Sequence, residues 1–343
     1  MGARANYVVV RGGTWTLHHS HWGANRVATD LAYGPAAAIR CVRANPQVDA
    51  DRRTSPEGWL DDVWCEGAAL VDTDRRVLLW FSGEAYSWAE HAAHRAVLER
   101  TWPGWEVRWA CDGIGDLHAH LGLGHGFVRE PGFRETGPPY WRQPEGDITT
   151  VLTVRGPDGE VRAWGSGYEA DEELSGGPGL LALLPDGTPP PVLTAMPNGG
   201  LHFDLPTRTL GVWTVRTVPG IHDWPLPAGP DGDGWDGWRL DFWGDDHRPH
   251  AARAAGRVTF PDVDPRPALA DWRRHIGDPP PDPAALLDLA SRPPHGSDGS
   301  DGLTAVANPA ATVAHEGPDP TPAERTALGA VFDALLTPGL SDT

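Results

Sequence analysis

Cysteine is scarce in this chain. Three residues, Cys41, Cys65 and Cys111, occur in 343. Their number and spacing exclude a disulfide framework or a zinc finger, and reduced, buried thiols are expected. Long apolar runs are missing too, so no segment reaches the roughly 20 residues that a membrane-spanning helix needs. The N-terminus, Met-Gly-Ala-Arg-Ala-Asn6, lacks the apolar core of a signal peptide and the hydroxyl residue of a myristoylation motif. Basic charge is short: 28 Lys+Arg against 47 Asp+Glu leave a formal charge of −19. Nucleic acid and anionic membranes demand a cationic footprint, so neither is expected as a partner. The glycine clusters Gly113-Ile-Gly115 and Gly122-Leu-Gly124-His-Gly126 lack the G-x-G-x-x-G frame and the P-loop lysine, so they are no phosphate cradle. These absences point to a cytoplasmic protein whose partner is a small molecule or a basic protein.

What is present is a hidden repeat. Val10-Arg11-Gly12 recurs as Val154-Arg155-Gly156, and Leu31 with Gly34-Pro35 recurs as Leu174 with Gly177-Pro178. Gly67, Asp72, Arg76 and Leu78 return as Gly199, Asp204, Arg208 and Leu210. Trp102-Pro-Gly-Trp105 and Asp112 return as Trp235-Asp-Gly-Trp238 and Asp245. The order is the same in both copies, and one shortening in a Pro-rich loop accounts for the change of offset. Internal repetition of this kind sets the architecture.

Local patterns fill in the elements. Tyr7 to Val10 and Thr14 to His21 read as a hairpin around Gly12-Gly13. Ser87-Trp-Ala-Glu90 is a capping box, which predicts a helix from about Trp88 to about Thr101. Thr321-Pro322-Ala-Glu324 starts a last, amphipathic helix that must dock on something. The predicted fold is α+β: two tandem copies of an antiparallel sheet with helices on one face, related by a pseudo-two-fold axis. The boundaries are a first repeat over 1–128, a linker over 129–149, a second, degenerate repeat over 150–260, and a Pro-rich arm over 261–343. Within that arm, Ala284 to Ala290 reads as a short helix and Gly296 to Gly302 as a flexible linker.

Histidine carries the main chemical signal. Eight of the fifteen lie between His18 and His125. Strand alternation sets His19 and His21 on one face, about 6–7 Å apart. Two imidazoles so placed would share a divalent metal (zinc, iron or manganese) if His118, His120, Asp112 or Asp116 converged as a further ligand. The plainer reading is that these are ordinary core and surface histidines. Cys111-Asp112 ends a strand where a nucleophile would sit, but a buried structural thiol is the simpler account. Asp72 and Asp204 fall at matching hairpin corners, where an Asx turn is the ordinary role.

Seventeen tryptophans are the other excess. Those in the repeated blocks belong to the core, whereas Trp22, Trp59, Trp64, Trp141 and Trp224 lie in or near loops, as binding aromatics do. Two functions compete, and the first is the expected one because no catalytic motif is complete. One is a binding protein that holds a basic protein or small ligand on acidic, Trp-bearing loops. The other is a metal-dependent hydrolase or other small-molecule enzyme with its histidines in the first repeat.

Overall fold

The computed structural model describes residues 3–83, 87–128, 136–229, 231–276 and 318–337. The first unit contains β1 (Ala5–Arg11), β2 (Thr14–Ser20), α1 (Val27–Ala32), α2 (Pro35–Ala44), β3 (Gly67–Asp72), β4 (Val77–Ser82), α3 (Trp88–Thr101), β5 (Glu106–Trp109) and α4 (Ile114–His120). The second contains β6 (Thr150–Arg155), β7 (Val161–Ser166), α5 (Ala170–Ser175), β8 (Gly199–Asp204), β9 (Thr209–Thr214), β10 (Arg239–Phe242) and α6 (Arg248–Arg253). Two further helices, α7 (Arg266–His275) and α8 (Pro322–Leu336), follow.

Both sheets have five strands, ordered β2-β1-β3-β4-β5 and β7-β6-β8-β9-β10. Strand directions match as well: hairpin pairs are antiparallel, and β1 with β3, β4 with β5, β6 with β8, and β9 with β10 are parallel. The sheets are therefore mixed, which corrects the antiparallel expectation. Parallel neighbours joined directly need a crossover, which α3 supplies between β4 and β5; β1 and β3 run parallel because the β1–β2 hairpin reverses the chain before α1 and α2 lead into β3. Both faces of the first sheet are covered, not one. Tyr7, Val9, Ala69, Val71, Leu78 and Trp80 pack with α1 and α2, while Val8, Leu70, Leu79 and Phe81 pack with Ile114 and Leu117 of α4. The second sheet buries Leu152, Leu201, Phe203 and Val212 with α5, and Val151 and Ala163 with Ala254 and Val258.

Matching residues do matching work. The Trp102 indole N–H donates to the Leu31 carbonyl at 2.9 Å, and that of Trp235 donates to the Leu174 carbonyl at 2.9 Å. Gly34 and Gly177 precede their helices at φ +88° and +65°, where a Cβ would press on the Thr101 and Asp233 carbonyls. Arg76 and Arg208 both turn their hairpins at positive φ, 55° and 48°. One sequence match slips. Ala5 lies opposite Gly67, but Thr150 lies opposite Gly199, so β1 and β6 correspond one residue away from the Val-Arg-Gly alignment. A one-residue slip exchanges the faces of a strand, and only sheet register exposes it.

The capped helix forms where the sequence places it. Ser87 Oγ accepts from the Glu90 N–H at 3.2 Å, and α3 runs from Trp88 to Thr101. In the second unit, residues 219–229 hold a 3-10 turn at Ile221–Asp223 and an isolated bridge from Ala228 to Thr136 in place of a helix. Helix α8 docks on its own chain: Leu328 and Phe332 pack with Ala93 and Val97 of α3 and Leu269 of α7. Glu324 takes a bidentate pair of bonds from Arg40 at 2.7 and 2.8 Å. The helix at 284–290 and the linker at 296–302 expected from sequence lie outside the described residues. No helix among the described residues is long and apolar enough to cross a membrane.

Three histidines are buried neutral. Burial pushes His94 down to about 3, His202 to about 4 and His250 to about 3. In the unfolded chain each takes its proton near pH 6.5, so acid favours unfolding. Stability is whole above that value and falls as pH drops toward 4. The slope reaches up to about 1.4 kcal/mol per pH unit for each histidine. Thermal unfolding followed by circular dichroism between pH 7 and 4 should show this decline, and His94→Leu should shallow it.

Candidate functional site at the seam between the units

The structure disperses the predicted histidine platform. Strand β2 ends at Ser20, because Trp22 leads straight into a 3-10 turn at Gly23–Arg26, so His21 leaves the alternation. Its ring meets Trp22 edge-on. His19 faces the Gly58 backbone, and burial lowers its proton affinity. His118 is fully buried, with its ring against Trp59 at 4.5 Å and Phe127 at 5.4 Å. His120 Nε2 meets Asp72 Oδ2 at 2.8 Å, which ties α4 to the end of β3. Asp112 is fully buried between β5 and α4. Of these five, only Asp112 belongs to a metal-capable group among the described residues.

The loop tryptophans divide. Trp59 is buried and donates to the Arg53 carbonyl at 2.8 Å, and Trp224 donates to the Trp238 carbonyl at 2.9 Å and packs on Trp235. Both are packing residues. Trp22 is half-buried. Trp141 lines a cavity of about 520 Å³ with Trp164 and Pro189 to Pro191. Trp64 is 54% exposed.

Cys111, Asp112 and Asp116, all weighed from sequence, lie where the two units cross. The chain after β5, Ala110 to Asp116, lies along Val215 to His222 of the second unit. The Val218 N–H donates to the Cys111 carbonyl at 2.7 Å, and the Gly220 N–H donates to Asp112 Oδ1. Three donor atoms of different type then converge. Cys111 Sγ lies 3.6 Å from Asp116 Oδ2 and 3.6 Å from His222 Nε2, and His222 Nε2 lies 3.2 Å from Asp116 Oδ1. His125 Nε2 approaches Asp116 Oδ1 at 3.6 Å, and its ring is 4.8 Å from that of His222. The ligand atoms of Cys111, Asp116 and His222 all fall within 4.8 Å of one another, as do those of Asp112, His125 and His222. Asp116 was named as a ligand from sequence. His222 was not, because it stands 111 residues from Cys111 in an irregular loop.

The electrostatics favour a shared proton and not a free thiolate. Burial, reinforced by the charges of Asp116 and Asp112, pushes the Cys111 thiol well up. A thiol so held is no nucleophile at neutral pH. The hydrogen bond to Asp116 raises His222. Burial opposes the Asp116 charge, yet the bond to His222 prevails and lowers it. A cation on this set would displace the thiol proton and satisfy sulfur, oxygen and nitrogen donors together.

The opposite side of the seam carries the counterpart. Asp245, which matches Asp112 in the repeat, meets His91 Nε2 of α3 at 3.1 Å and also pairs with Arg95. Burial works against its charge, but the His91 bond and the Arg95 charge outweigh it and hold the carboxyl at about 2. Each unit thus ends its last strand with an aspartate set against the other. A cavity of about 350 Å³ opens on the same crossing, with Asn25, Asp62, Glu66 and Ser82 facing Arg216 and Thr217. Comparison with protein-family models, curated proteins and solved structures finds no match to this chain.

Because its carboxyl is depressed in the folded state, Asp245 contributes stability above about pH 4 that is lost as pH falls toward 2. Asp245→Asn should cost about 1–2 kcal/mol at pH 7, since the pair is partly solvated. It should also remove part of the acid sensitivity in that window, measured by urea unfolding at pH 7 and pH 3.

Proposed function

We propose that the chain is a metal-dependent small-molecule enzyme of hydrolytic type, with its metal centre at the seam. Cys111, Asp116 and His222 are its protein ligands, and Asp112 and His125 stand within reach. The observation that carries this reading is the convergence of one sulfur, one carboxylate oxygen and one imidazole nitrogen within 4.8 Å. Zinc suits that mixed donor set better than a hard cation does, and iron or manganese come after it. Three protein ligands leave a fourth position open, and His222 is 36% exposed, so solvent reaches the site. A metal there would supply an acidified water for attack on an electrophilic centre. On this reading a single α+β unit was copied in tandem, and an approximate two-fold relation between the copies placed Asp112 and Asp245 at equivalent ends of one seam. The shared strand order and the paired indole hydrogen bonds support that history.

Purified protein should take up one equivalent of zinc, and its cobalt form should show a thiolate-to-metal charge-transfer band. Cys111→Ser, Asp116→Asn and His222→Ala should each weaken uptake by more than about tenfold. Protein that takes up neither metal, or whose uptake ignores all three substitutions, would refute the assignment.

A second reading, binding of a basic protein, draws on one specific feature. Val63 and Trp64 are 48% and 54% exposed beside Asp61, Asp62 and Glu66, with the Arg4 guanidinium 4.5 Å from the Trp64 ring centroid. An arginine-rich peptide should then bind at low salt, lose affinity as salt rises, and lose it also in Trp64→Ala. Isothermal titration decides the matter. Binding untouched by Trp64→Ala sets this reading aside.

A further inference from the structure

The two units differ in chemistry in one buried layer. Sheet register matches Val8 of β1 to Thr153 of β6 once Gly67 is set on Gly199. The same correspondence, 132 or 133 residues along, matches Leu70 to His202, Phe81 to Trp213 and Leu117 to His250. In the first unit these four positions form part of an apolar cluster. In the second, all four carry polar atoms, and all four residues are buried. Burying polar groups in place of apolar ones costs free energy unless each is bonded.

They are bonded, in one direction. The Trp213 indole donates to His250 Nδ1 at 3.0 Å. Tryptophan can only donate, so the neutral His250 ring carries its proton on Nε2. That proton points at Thr153 Oγ1, 2.7 Å away. The Thr153 hydroxyl then gives its own proton to His202 Nδ1 at 2.8 Å, the only other partner of that oxygen among the described residues. His202 is left with Nε2–H. Gly200 is part of the same construction: a Cβ there would come within 2.4 Å of both His250 Nδ1 and Trp213 Nε1.

His202 lines a cavity of about 450 Å³ in the second unit. Its two carboxylates are already matched: Asp204 to Arg155 at 3.0 Å and Asp241 to Arg253 at 2.7 Å. Arg239, which also lines it, bonds the Thr209 hydroxyl at 3.0 Å and has no carboxylate partner among the described residues. The cavity therefore presents an oriented N–H and an unmatched guanidinium, in a chain whose overall charge is −19.

We propose that this cavity is a binding site for a small oxyanion, a carboxylate or a phosphate, whose oxygens accept from His202 Nε2–H and from Arg239. The Trp213–His250–Thr153 chain is the positioning device that fixes the donor tautomer of His202. The site is separate from the seam and stands whether or not the seam binds metal.

The test is nuclear magnetic resonance of the full chain, labelled with nitrogen-15 and titrated with inorganic phosphate and, separately, with acetate. Before addition, long-range proton–nitrogen spectra should show His202 and His250 as Nε2–H tautomers. At least one anion should then shift the His202 ring and the Arg239 Nε signals in a saturable way. Saturation by phosphate alone or by acetate alone identifies which oxyanion the cavity takes. His202→Leu restores the residue type of the matching site in the first unit and should abolish the response. Arg239→Gln, an exposed strand position that leaves folding intact, should weaken it by about tenfold. Thr153→Val should mix the His202 tautomers and weaken binding by about five- to tenfold. An Nδ1–H His202 in the free protein, no saturable shift with either anion, or a response that survives both His202→Leu and Arg239→Gln would overturn the proposal.

Discussion

The crossing of the two units depends on a pair of aspartates that each reach out of their own sheet. Asp245 accepts from His91 and pairs with Arg95 on α3 of the first unit. Asp112 accepts the Gly220 N–H in the loop that stands where the second unit would have its counterpart of α3. A carboxylate that leaves water must be matched by donors or lose its charge. Asp245 meets that requirement with His91 and Arg95 of the first unit, and Asp112 takes a backbone N–H from the second. The cluster of Cys111, Asp116 and His222 exists because this crossing holds residues 111–116 against 215–222.

Sharing one topology has not given the units one interior. Their common side, where each indole reaches a helix carbonyl, is conservative: Trp102 and Trp235, Leu31 and Leu174, and Gly34 and Gly177 are superimposable in role. The other face is not. Around α4 it is mostly aliphatic and aromatic, with His118 packed on Trp59 and Phe127, and under α6 it is a hydrogen-bonded file of threonine, histidine and tryptophan. A face that must only pack tolerates substitution by shape. A face that must satisfy four polar groups tolerates very little. The polar construction lies in the unit that looked degenerate from its loops, because loop length and core chemistry are set by separate constraints.

Much of the fold was legible. The N-caps Ser87 and Thr321 fixed the starts of two helices: each hydroxyl accepts from the N–H three residues on, Glu324 closes the capping box by accepting the Thr321 N–H, and Glu90 accepts the Ser87 hydroxyl proton instead. The likeness of the two units was legible from their glycines, tryptophans and hairpin arginines, the positions where backbone conformation or a large buried ring permits few alternatives. Strand direction was not. A hairpin leaves a turn signature, whereas a parallel pair such as β4 and β5, joined through α3, leaves only apolar runs. The site was less legible still. His19, His21, His118 and His120 drew attention because they are close in sequence, yet each is spent on a neighbour or on packing.

By itself, the order of residues determined where many of the helices and strands form, that one strand-and-helix plan occurs twice, and that the chain carries a formal charge of −19. Those properties are local or additive, so they survive without knowledge of the path of the chain. Only tertiary structure decided which polar atoms meet. His222 comes to Cys111 from 111 residues away, and His250 to Thr153 from 97. No periodicity encodes such a meeting, because it depends on how two finished sheets are set against their loops and helices.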